Sequence, residues 1–67
     1  MNLTCYYYAM DFPENERKFG RHYNFNQDDA TEAVLKVGMS LGARVVYGPY
    51  ETEEELVEHI YCKENDL

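Results

Sequence analysis

Near the end of the chain, Glu51, Glu54, Glu55, Glu58, His59 and Cys62 gather the side chains with the most chemical potential. On a helix, residues three and four apart share a face, so Glu55, Glu58, His59 and Cys62 would line one side at i, i+3, i+4 and i+7. Carboxylate, imidazole and thiolate can together hold a divalent metal. A lone His-x-x-Cys pair does not complete such a site, and no spacing brings Cys5 or His22 near it. A metal-binding module is therefore the least favoured reading, and neither a resident metal nor a cofactor is expected. Catalysis has little support either. Ser40 falls inside a helical pattern without a base, and Cys62 sits near a helix C-terminus, where the dipole disfavours a thiolate. Gly38, Gly42 and Gly48 match no phosphate-binding loop. The chain is not expected to be an enzyme.

The carboxylates have a sharper use as a set. Residues 51–67 hold seven acids against Lys63 alone, a net −6, whereas the first 50 residues carry −1. Glu51, Glu54, Glu55 and Glu58 would stand about one turn apart, roughly 5–6 Å between neighbours. A row of fixed negative charge imitates a phosphate backbone, and a basic groove built for nucleic acid would attract it in a salt-dependent way. Three of the six basic residues, Arg17, Lys18 and Arg21, cluster early, giving a dipolar layout that can orient a charged partner. The net charge of −7 opposes direct nucleic-acid binding by this chain, and none is expected. The bland alternative for the same acids is a soluble helix face whose first-turn carboxylates favour the dipole.

Tyrosine, at seven positions, is the second signal. Leu3 to Phe12, with Tyr6, Tyr7 and Tyr8 in succession, reads as a strand ended by Pro13. Leu3, Cys5, Tyr7 and Ala9 fall on one face and Tyr6, Tyr8, Met10 and Phe12 on the other, which suits a central strand. Glu14 to Arg17 reads as a polar turn. Lys18 to Phe25 then alternates, with Phe19, Tyr23 and Phe25 on one side, as a second hairpin arm.

Asn26 opens a helix to Leu41 whose apolar stripe is Ala30, Ala33, Val34, Val37 and Leu41. Gly38 suits a close approach and Gly42 a left-handed end. Arg44 to Tyr47 reads as a short third strand closed by a Gly48-Pro49 turn. Thr52 with Glu55 forms a capping box for a second helix with Leu56, Val57, Ile60 and Tyr61 inward. The expectation is one α+β domain over residues 1–67 in the order β-β-α-β-α. Its antiparallel sheet has strand order 2-1-3, and both helices pack on one face. That would leave Tyr6 and Tyr8 on an open aromatic face as anchors for a partner.

A domain this small buries only about 60% of the surface its unfolded chain exposes, so its stability is expected to be modest. Two cysteines form no disulfide framework, and a reducing cytoplasm with free thiols is expected. No stretch of about 18 apolar residues suggests a membrane span, and the start lacks a signal-peptide pattern. Arg44-Val45-Val46-Tyr47-Gly48-Pro49-Tyr50 before a helix resembles the closing segment of peptidoglycan-binding SPOR domains, over about 20 residues. The preceding element order departs from that family, and no function is carried over from it. In size and charge the chain is similar to small acidic viral inhibitors of nucleic-acid enzymes. The expectation is a non-enzymatic binding protein whose partner is a protein with a basic surface. It could act as a phage-type mimic against a CRISPR, restriction or transcription machine. The alternative is a self-associating structural or regulatory subunit, a homodimer in the simplest case.

Overall fold

The tyrosine-rich first strand is the axis of the computed structural model, which describes residues 2–65. Strand β1 (Thr4–Phe12) is joined by a 3-10 turn (Pro13–Asn15) to β2 (Glu16–Asn24). Helix α1 (Gln27–Leu41), strand β3 (Val45–Tyr50) and helix α2 (Glu53–Asn65) follow. The sheet order is β2-β1-β3, with both neighbours antiparallel to β1. Class, element order and strand order are those read from the sequence.

The helices are placed differently from the expectation. Alternation sends Tyr6, Tyr8 and Met10 to one side of β1, and Tyr7, Ala9 and Asp11 to the other. Both sides are closed. Gly38 of α1 approaches Met10 and Val46 on the first side, where a Cβ at residue 38 would meet Val46 Cγ2 at 2.8 Å. On the second side, Leu56 and Ile60 of α2 form the core with Ala9 and Tyr47, flanked by Tyr7 and Tyr50. The sheet is therefore sandwiched, with one helix on each face. The physical reason lies in β1 itself: helices on a single face would leave half of its apolar side chains in water.

Helix α1 begins as expected. The Asn26 side chain accepts the Asp29 N–H at 2.8 Å. It ends at Gly42, whose φ of 84° is the left-handed conformation that favours glycine. Its buried line is Ala30, Val34 and Gly38, while Val37 and Leu41 of the expected stripe stay exposed. A three-stranded sheet is narrow and accepts one i, i+4 ridge. The hairpin turn, Pro13–Asn15, starts one residue and ends two residues earlier than the expected Glu14 to Arg17, with Glu14 and Asn15 at positive φ. Strand β3 also runs on through Gly48-Pro49, a cis peptide, to Tyr50, with a register shift between Tyr7 and Ala9. At Gly48, φ is 93° and a Cβ would sit 2.7 Å from the Tyr7 carbonyl oxygen, so the strand continues only with glycine there.

Leu56 is 1% exposed and joins α2 to the sheet. Leu56→Ala is expected to lower the unfolding free energy by about 2–5 kcal/mol, a large part of a small domain's total. Met39→Ala, at a position 81% exposed, is expected to change it by less than about 0.5 kcal/mol. Urea unfolding monitored by circular dichroism compares the two.

Candidate interaction surface

Helix α2 is fixed at its start and along its inner side. Thr52 Oγ1 accepts the Glu55 N–H at 3.1 Å, and the Thr52 carbonyl accepts the Leu56 N–H at 3.3 Å. One half of the capping box is thus formed, and three glutamates occupy the first turn, where the dipole favours negative charge. With Leu56 and Ile60 buried, helical geometry at 100° per residue turns Glu54, Glu58, Cys62 and Glu55 away from the sheet. Glu51, Glu54, Glu55 and Glu58 are all exposed. The structure therefore brings the expected carboxylates to one outward surface of the last helix and the turn before it. Glu53 in the first turn is exposed as well; side chains from residue 63 onward, including those of Glu64 and Asp66, lie outside the described residues.

His59 does not belong to that surface. It is half-buried, with its ring 5.4 Å from that of Tyr50 and 6.2 Å, edge-on, from that of Tyr47. The imidazole closes the end of the core, while Cys62 is exposed and turned outward. The pairing of His59 with Cys62 on one face is thus corrected: one residue more of helical rotation separates inward from outward. Among the described residues, no three His, Cys, Asp or Glu side chains are grouped as a metal would need.

The aromatic anchors are also corrected. Tyr6 is 3% exposed and lies in the core beneath α1. Tyr8 is half-buried with its ring across Gly20, filling the space that a side chain there would take. The open face assigned to them does not exist, because α1 covers it. Exposed aromatics are instead Phe19 and Tyr23 on β2, at 57% and 56%, together with Phe25 and, on α2, Tyr61. Alternation placed Phe19, Tyr23 and Phe25 on one side in the sequence, but pattern cannot show that α2 packs over β3 and β1 and leaves the β2 margin bare. Val57 and Tyr61, expected to face inward on α2, are exposed beside that margin. With Arg17, Phe19 and Ile60 they line a shallow groove of about 170 Å³.

On the same side of the sheet, Asp11 binds Arg17 through two bonds: Nε to Oδ1 at 2.6 Å and Nη2 to Oδ2 at 3.0 Å. The Arg17 guanidinium also lies 5.6 Å from the centre of the Tyr47 ring. The hydrogen bond from Arg17 holds the Asp11 carboxyl below its usual value, with help from the Arg17 charge and the Tyr47 hydroxyl against the opposing effect of burial. These groups pin β1, β2 and β3 together. Tyr7 is shifted upward, chiefly by its hydrogen bond with Cys5.

No family model matches this chain, and no curated protein or solved structure is detectably similar to it. Among the described residues, no helix is long and apolar enough to cross a membrane.

Asp11 gives the fold an acid-side dependence. Its carboxyl is depressed in the folded state, so the native protein binds fewer protons and stability rises with pH. That contribution is complete above its ordinary value of 3.8 and is lost as pH falls through the lower folded value. Asp11→Asn is expected to reduce stability at neutral pH and to flatten the decline below about pH 4. Denaturant midpoints measured from pH 2 to 7 for both proteins check this.

Proposed function

We propose that this chain is a non-enzymatic binding protein that acts by occupying a basic surface of a protein partner. One observation carries the reading. Glu51, Glu54, Glu55 and Glu58 are exposed on and beside a helix whose opposite side, through Leu56 and Ile60, is anchored in the core. A carboxylate array on such a helix is pre-organised, so little ordering cost opposes binding. Neighbouring turns repeat every 5.4 Å, close enough for several cations of one groove to be engaged together. The more specific form of the proposal is mimicry of nucleic acid. The array would compete for the groove of a nucleic-acid enzyme of the CRISPR, restriction or transcription kind, as a phage-type inhibitor would in a host cytoplasm. Phe19 and Tyr23 replace Tyr6 and Tyr8 as the aromatic residues available to a partner.

The test measures affinity for the protein recovered with this chain from a host lysate, as a function of salt. Glu54→Gln with Glu58→Gln is expected to weaken binding about tenfold or more at low salt and to reduce the slope of log affinity against log salt. An unchanged slope refutes the charge-based reading. Displacement of bound nucleic acid from that partner separates mimicry from contact elsewhere on its surface.

A further inference from the structure

We propose that β2 is a self-pairing edge, through which two copies of this chain join their sheets antiparallel about a two-fold axis at Gly20. The inference is independent of the acidic surface on α2. Strand β2 is nine residues long and lies at the margin of the sheet, with β1 as its neighbour there. Such a strand presents backbone donors and acceptors that a second strand can complete. Charged side chains blunt many natural edges, but three of the four charged residues of β2, Glu16, Arg17 and Lys18, have an opposite charge within the chain. Arg17 binds Asp11, and Lys18 lies 3.4 Å from Glu16. Arg21 lies 5.7 Å from the centre of the Tyr7 ring and shares a groove with Glu53. In a protein of net charge −7, this margin is the region where two copies meet with least repulsion.

The sequence of β2 selects the register. An axis at Gly20 sets Phe19 opposite Arg21 of the second copy and Arg17 opposite its Tyr23, each pair occurring twice. Directly opposed residues share a face, so each arginine meets an aromatic ring, a favourable pair. Lys18 meets His22 and Glu16 meets Asn24. The neighbouring registers lack this fit. An axis at Phe19 opposes Arg17 to Arg21, one at Arg21 opposes the two copies of Arg21, and one at Lys18 opposes the two lysines. Gly20 itself, occupied on one side by the Tyr8 ring, brings no side chain to the axis. The axis runs perpendicular to the sheet, so Phe19, Tyr23, Val57 and Tyr61 of both copies gather on one side of a six-stranded sheet. Exposed apolar side chains beside the edge are thereby covered, and both α2 helices face the same way.

Sedimentation equilibrium on the full chain from micromolar to millimolar concentration tests the proposal. A concentration-dependent dimer is expected. Phe19→Lys opposes lysine to Arg21 and is expected to raise the dimer dissociation constant about tenfold or more. Phe19→Glu opposes carboxylate to Arg21 and is expected to keep the constant within about threefold of the original. Tyr23→Lys, which meets Arg17, is a second disrupting variant, and Met39→Lys on α1 is the distant control. Circular dichroism confirms that each variant is folded. A strict monomer at millimolar concentration overturns the proposal and leaves the edge to a strand of another protein. Equal weakening by Phe19→Lys and Phe19→Glu overturns the register and with it the axis at Gly20.

Discussion

The two-sided burial of β1 governs the rest of the structure, because a central strand with apolar groups on both faces must be covered twice. Tyr6 and Met10 require one cover, and Ala9 and Tyr7 another. With 67 residues available, each cover is a single helix. Helix α1 crosses one face between the parallel strands β2 and β3, and α2 returns over the other after a two-residue connection. The resulting core is thin. It relies on close approaches such as Gly38 against Val46, where even one methyl group would have to displace its neighbour.

Helix α2 lies over β1 and β3, whereas α1 on the opposite face also packs against β2. The consequence is a margin along β2 left bare on the α2 side and an acidic outer surface on α2, two features with different chemistry. The carboxylates repel other copies and favour cations, whereas β2 alternates arginine with aromatic side chains and pairs Arg17 and Lys18 with acids of the same chain. The two surfaces therefore suit different partners. A dimer formed through the edge would present the acidic helices as a pair, and pairing raises avidity without any new contact.

The Asp11–Arg17–Tyr47 group shows how a small sheet substitutes polar fixation for apolar mass. Each residue comes from a different strand, and the bidentate geometry between Asp11 and Arg17 sets the register of the hairpin as well as its stability. The arginine expected to lie in a turn thus has a structural partner, because the turn closes at Asn15 and Arg17 enters the strand.

Local signals determined the elements by themselves. The β-favouring tyrosines, Pro13, the Asn26 cap, Gly42 and the Thr52 cap act over a few residues, and each stands where the sequence placed it. The antiparallel order followed too, since a strand apolar on both faces belongs in the middle. Exposure of the acidic residues was legible because Leu56 and Ile60 define the opposite side of their helix. Tertiary structure alone decided on which face each helix lies, and hence that Tyr6 is core while Phe19 and Tyr23 reach solvent. Alternation tells which residues share a side, but a two-residue connection can carry a helix to either face, and only the competition to bury both sides of β1 selects one.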